Sequence, residues 1–238
     1  MNVAYFDCFS GIAGDMTLGA LIDLGCDVKV LNTELEKLGI SGYSLDVKKI
    51  LKNDISATDV SVNVDKDQPY RTFSDITEII LQSNLDDSIK MRSHRIFLRL
   101  AEAEGMVHEV PVDKVHFHEV GAVDSIIDII GSMVCLNLLE IDEVYSSALP
   151  LGSGYIDCQH GRIPVPAPAT VELVKDIPTY KVDSGHELVT PTGAAIITTI
   201  AEGFGKKPDF VVNHIGYGSG KIKSSLPGVL RVVIGHRN

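Results

Sequence analysis

Val3-Ala4-Tyr5-Phe6-Asp7-Cys8-Phe9-Ser10-Gly11-Ile12-Ala13-Gly14-Asp15-Met16 is the stretch that decides the class of fold. Val3 to Phe6 is β-prone, Ser10 to Gly14 is a turn, and Met16 to Leu24 has helical spacing ended by Gly25, so the chain opens as strand, loop, helix. A second strand-loop-helix unit is expected from Val115 through Gly121 to Leu139, then a strand over Glu143 to Leu149. Between the two units, the apolar positions of Tyr43 to Val64 alternate about Lys52-Asn53-Asp54, which predicts an antiparallel hairpin. The expected architecture is α/β, a mixed sheet with an antiparallel hairpin and flanking helices, with α+β as the alternative.

The remaining helices are read at Leu31 to Leu38, from Thr72 or Ser74 to Gln82, and from Asp86 or Asp87 to about Glu104, where Gly105 should stop the last. Short helices are expected at Ala169 to Lys175 and Gly193 to Glu202, and strands at Phe210 to Ile215 and Val229 to Ile234. Residues 1–238 are expected to form one compact unit. Any subdivision should fall near 65–71, which has acidic residues, a proline and no apolar periodicity.

With 45% hydrophobic residues in 238, the chain can bury a sizeable core, and no apolar run approaches a membrane span. The start has neither a basic region nor a long apolar stretch, which predicts no secretory leader and a cytoplasmic location. Cys8, Cys26, Cys135 and Cys158 contain no C-x-x-C pair, so neither disulfides nor a cysteine zinc finger is expected; Cys26 and Cys135 read as core residues. Acidic residues outnumber basic ones by 32 to 21, a field that repels phosphate backbones and disfavours nucleic acid as a partner.

Chemistry concentrates at His116-Phe117-His118-Glu119. Two histidines two apart on a strand project from one face, and Gly121 permits a turn that brings the Glu119 carboxylate round. Asp124 and Asp128 follow at helical i, i+4 spacing; Asp128 also fits a solvated face. Imidazoles with carboxylates suit Ni, Zn, Fe or Mn, and His116, His118, Glu119 and Asp124 are the candidate metal ligands. A structural alternative has the histidines hydrogen-bonding the helix start while Asp124 satisfies its free N–H groups.

In the opening loop, Ser10, Gly11 and Gly14 precede a helix N-terminus that can receive an anion, while Asp7 and Asp15 flank the loop as candidate bases. Neither G-x-G-x-x-G nor a phosphate loop ending in Gly-Lys-Ser/Thr is present. His160, in a proline-stiffened segment, is a candidate proton shuttle, and Thr190 and Thr192 are candidate anion contacts that helix capping explains almost as well. Gly216 to Gly220, with Lys221 and Lys223, reads as a turn that could touch a phosphate.

The opening stretch, His116 to Ile126, His160-Gly161 with Pro164 to Thr170, Thr190 to Gly193, and Gly216-Tyr217-Gly218 together closely resemble the LarC family across nearly the whole chain. That family inserts nickel during synthesis of the nickel-pincer cofactor of lactate racemase. The resemblance implies a nickel chelatase, a metal-inserting lyase that places nickel in pyridinium-3,5-bisthiocarboxylic acid mononucleotide through two sulfurs and a ring carbon. It implies dependence on CTP with Mg or Mn, bound by a part this chain lacks, since many members continue for about another 100–200 residues. Implied partners are the mononucleotide, a C-terminal polypeptide, lactate racemase apoprotein as recipient of the cofactor, and further copies of the chain. Under it, nickel falls to His116, His118 and Glu119, the phosphate lies near Ser10 to Gly14, and Asp7, Asp15 or His160 is the base. The alternative reading is a nickel carrier or subunit that turns nothing over alone. A phosphohydrolase using Asp7 and Asp15 lacks the second aspartate that pattern needs after Asp7.

Overall fold

The computed structural model describes residues 1–65, 71–115, 117, 123–158, 161–222 and 226–237. The chain opens with β1 (Asn2–Asp7), α1 (Gly14–Asp23) and α2 (Val28–Glu36), then the hairpin β2 (Tyr43–Lys52) and β3 (Ile55–Val64). Next come α3 (Phe73–Gln82), α4 (Asp87–His108), a 3-10 turn (Val112–Lys114) and α5 (Val123–Leu138). Short elements follow: β4 (Glu143–Ser146), β5 (Leu149–Leu151), β6 (Tyr155–Cys158), β7 (Gly161–Pro164), α6 (Pro168–Leu173) and β8 (Thr179–Lys181). The last third closes with α7 (Pro191–Ile200), β9 (Gly203–Phe204), β10 (Val211–Ser219) and β11 (Val229–His236).

The seven-stranded sheet runs β2-β3-β10-β11-β1-β4-β9. It is mixed, as expected: β1 pairs parallel to β4 and antiparallel to β11, and β2 with β3 is the predicted antiparallel hairpin. Asn53 and Asp54 both have positive φ in its turn, a conformation that Asn and Asp tolerate better than most residues. Strands from both sides of residues 65–71 share this sheet, since β3 pairs with β10. β1 sits inside the sheet, and its Val3, Ala4 and Phe6 are fully buried. No helix among the described residues is long and apolar enough to cross a membrane.

Helix starts follow local chemistry. Thr72 caps α3 in a capping box with Asp75, and Asp27 and Asp86 cap α2 and α4. Thr72→Ala is expected to cost about 1 kcal/mol, read as a fall of about 2–4 °C in a thermal melt.

Three expectations need correction. Gly105 does not stop α4; the helix runs on to His108 and Glu109 turns it off with a left-handed backbone. Gly105 is small because the returning chain crosses it: a β-carbon there would lie 2.9 Å from the Val110 carbonyl oxygen. Val115 and Phe117, the described residues of the expected second strand, lie in none. They hydrogen-bond Phe73 and Arg71 across a short contact, and the Phe117 ring packs on Phe97 in the core. Finally, Gly216 to Ser219 is not a turn but the second half of β10. α1 packs directly on that strand, so β-carbons on Gly216 and Gly218 would run into the Ala20 and Met16 carbonyl oxygens. The Tyr217 N–H donates to the Asp23 carboxylate at 2.9 Å, stitching the end of α1 to β10. These glycines serve close helix-sheet approach, not a phosphate.

Candidate functional site

Three helix starts converge at the end of β1 where its chain leaves the sheet. The loop after β1 is zipped to residues 188–190: Ile12 donates to the Leu188 carbonyl at 2.9 Å and Thr190 to the Ile12 carbonyl at 3.1 Å. Gly11, at φ +100°, lets the loop press against the Leu188 backbone, which any β-carbon would strike. Thr190 then caps α7, its hydroxyl accepting from the Gly193 N–H at 3.1 Å. The first turn of α7 leans on α1, since a β-carbon on Gly193 would come within 2.8 Å of the Ala13 Cα. α5 closes the triangle: a β-carbon on Gly14 would lie 2.6 Å from an Asp128 carboxylate oxygen and 3.0 Å from the Thr192 methyl.

This packing leaves a cleft of about 360 Å³ lined by Asp15, Asp124, Asp128, Thr190, Thr192 and Lys221. Asp124 stands at its exposed rim, with Asp15 and Asp128 half-buried inside. Burial pushes the Asp15 carboxyl up to about 6, against the opposing pull of Lys221 and of the Met16 N–H that it accepts at 2.8 Å. Burial also raises Asp128 well above the usual carboxylate range, and the charges of Asp15 and Asp124 push it the same way while Lys221 opposes them. Asp128 thus lines the cleft against Gly14 and is half-buried there, not set on a fully solvated face. Lys221 arrives from the β10–β11 connection and is tied to β3, donating to Asp59 (2.9 Å), the Val60 carbonyl (2.8 Å) and Ser61 (2.8 Å).

Behind Asp15 a smaller chamber of about 170 Å³ adjoins the cleft and shares Ala13, Asp15, Thr190 and Lys221 with it. Ser10 lines it; its buried hydroxyl finds no hydrogen-bond partner among the described residues. Of the loop amides, Gly11 and Ile12 already donate to the Cys8 and Leu188 carbonyls. Any anion contact from the loop thus falls to the start of α1, where Ala13 caps the helix without a side-chain acceptor.

Of the residues singled out in the sequence, Gly14, Asp15, Asp124, Thr190 and Thr192 line one cleft and Ser10 the adjoining chamber. Asp7 lines neither; its carboxylate is paired with Arg231 of β11, whose guanidinium also lies over the Phe9 ring. His116, His118, Glu119 and His160 lie outside the described residues. Among the described residues no group of three or more His, Cys, Asp or Glu is arranged to hold a metal ion. Cys8 is fully buried, its thiol pushed up to about 12, which fits a core residue rather than a ligand. Sequence reasoning missed the walls from β3, Val60 to Val62, because nothing local in a strand announces that a distant helix start will face it.

A family model described as nickel insertion protein matches residues 4–238. The chain is 51% identical over 235 residues to a protein of Dictyoglomus thermophilum named "Putative nickel insertion protein", covering 99% of this chain and 61% of that one. It is 44% identical over 247 residues to the "Pyridinium-3,5-bisthiocarboxylic acid mononucleotide nickel insertion protein" of Acetivibrio thermocellus, again covering 99% of this chain and 61% of that one. The chain thus spans about 61% of the length of these curated relatives. No solved structure matches it.

Proposed function

Because the chain belongs to the nickel insertion protein family, we propose that it takes up a pyridinium-3,5-bisthiocarboxylic acid mononucleotide and delivers nickel to it as part of a nickel chelatase. The observation that carries this reading is the cleft at the three helix starts. It gathers Asp15, Asp124 and Asp128 at the head of α5, which follows closely on His116-Phe117-His118-Glu119 in the chain. Nickel is the cargo here. His116, His118, Glu119 and Asp124 form its loading set, nitrogen and oxygen donors that sulfur groups on a substrate can outcompete. Forming a metal–carbon bond at the ring displaces a proton, and Asp15 is the base that receives it. Its support is its place in the cleft and a carboxyl poised near neutrality. The substrate phosphate approaches the uncapped start of α1. The product is the nickel-pincer cofactor, destined for lactate racemase apoprotein in the cytoplasm.

Neither the cleft nor its adjoining chamber fits CTP. A triphosphate needs several cations or donor amides, and the only lysine or arginine lining the cleft or its adjoining chamber is Lys221, already tied to Asp59 and set among carboxylates. This favours a second reading: a nickel-loading subunit that completes turnover only with a C-terminal partner polypeptide that binds CTP with Mg or Mn. Insertion by the chain with the mononucleotide, nickel, CTP and magnesium alone would reject it.

Nickel titration tests both readings at their common root. In calorimetry, His116→Ala/His118→Ala is expected to bind Ni(II) at least tenfold more weakly than the unaltered chain, about 1.4 kcal/mol or more. Equal affinity would refute the loading site.

A further inference from the structure

Two cysteines far apart in the chain meet in the core. Gly131 of α5 faces the groove between α1 and α2: a β-carbon there would lie 3.2 Å from a Leu18 methyl and 3.7 Å from a Leu31 methyl. Cys135 follows four residues later, one turn further along the same face of the helix. There it meets the turn joining α1 to α2, where the Cys26 N–H donates to the Leu21 carbonyl at 3.4 Å. Both thiols are free, and they hydrogen-bond each other. Cys135 is fully buried, whereas Cys26 stands between the exposed Gly25 and Asp27. Nothing lies within 4 Å of where a β-carbon on Gly25 would stand, so the turn is open to solvent beside the Cys26 thiol.

We infer that Cys26 and Cys135 form a reversible redox switch, a dithiol that a small-molecule disulfide such as oxidised glutathione converts into an intramolecular disulfide stapling α5 to the α1–α2 turn. Cys26 is the attacking sulfur. The Cys135 thiol donates to it, which holds Cys26 below the ordinary thiol range against the opposing effects of burial and of Asp27. Burial, and then its bond to Cys26, push Cys135 the other way. The Cys26 thiolate displaces one thiolate from the oxidant and forms a mixed disulfide with it; the Cys135 sulfur displaces the second and closes the S–S bond. The two thiol protons leave with the released thiolates, and the oxidant gains the two electrons that the cysteine pair loses. A bonded pair of sulfurs stands about 2.05 Å apart, closer than hydrogen-bonded thiols, so the bond draws α5 towards the turn. α1 and α5 carry Asp15 and Asp128 near their starts, so the staple acts on two of the helices that frame the cleft.

The test incubates the folded, unaltered chain with oxidised glutathione at room temperature, alkylates the remaining thiols in denaturant and maps the peptides by mass spectrometry. The expected product is a peptide pair linked through Cys26 and Cys135, lighter by two hydrogen atoms and released by dithiothreitol, with Cys8 and Cys158 outside the link. The bond closes a loop of about 100 residues, so the melting temperature of the linked chain should rise by roughly 5 °C or more and fall back on reduction. Cys26 and Cys135 both alkylated after oxidation, or either of them linked to Cys8 or Cys158, would overturn the inference. So would a linked chain that melts no higher than the reduced one. No substitution is made in the core, so the result does not depend on a variant folding, and without nickel in the experiment it stands apart from the proposed function.

Discussion

Replacing Asp15 with asparagine is expected to lower nickel insertion by about 10²–10⁴-fold, the usual contribution of a positioned general base, while making the protein more stable at neutral pH. Asparagine keeps the shape of the side chain but cannot take a proton. The two effects have opposite signs for one reason. Burial holds the Asp15 carboxyl near 6, above its ordinary 3.8, so between those values the folded chain binds more protons than the unfolded one. Asp15 therefore makes stability fall as pH rises from about 4 to about 6, after which the loss is complete and constant. Above pH 6 the asparagine variant escapes that cost, which amounts to about 1–2 kcal/mol once the shift is discounted for the partly open carboxylate. Activity runs the other way. The rate should climb with pH as Asp15 loses its proton through about 6 and then level off, and that limb should be missing from the variant. Insertion rates from pH 5 to 8, with melting curves across the same range, check both halves. A variant that lost activity and stability together at pH 7 would point to a packing defect rather than a missing base.

Gly218→Val should be the most damaging single change to the fold. A β-carbon at Gly218 would collide with the Met16 carbonyl oxygen and stand 2.6 Å from the Ala20 nitrogen, both backbone atoms of α1. Neither can swing aside, so α1 must lift from β10 as a unit. Overpacking of this kind costs about 3 kcal/mol or more, a drop of roughly 6–12 °C in melting temperature for a chain of this size. Because α1 carries Asp15, insertion should fail even below the melting point. Gly203→Ala, whose nearest neighbour would be the Tyr145 ring at 3.3 Å on the edge strand β9, is the control and should change the melt little.

The two glycines of Gly216-Tyr217-Gly218 also show where sequence reasoning runs out. Glycine is a local signal for a turn, and read locally the run looked like one. Its actual cause is the approach of a helix two hundred residues earlier in the chain, about 200 by number, which no local pattern encodes. Lys221 and the β3 wall are the same case: they enter the site through strand pairings, and Asp128 becomes a cleft residue because Gly14 lets it come close. By contrast, the opening strand-loop-helix, the hairpin about Asn53-Asp54, a capped start of α3 at Thr72 or Ser74 and the mixed sheet were legible in the chain alone. Those features arise from periodicity, caps and turn residues, whose physics acts over a few neighbouring positions. The sequence by itself therefore determined most of the helices, the hairpin, the opening strand and the family to which the chain belongs. Only the tertiary structure decided which side chains share a cleft and how far its carboxyls are driven from their ordinary range, because burial and the distance between charges exist only once the chain has packed.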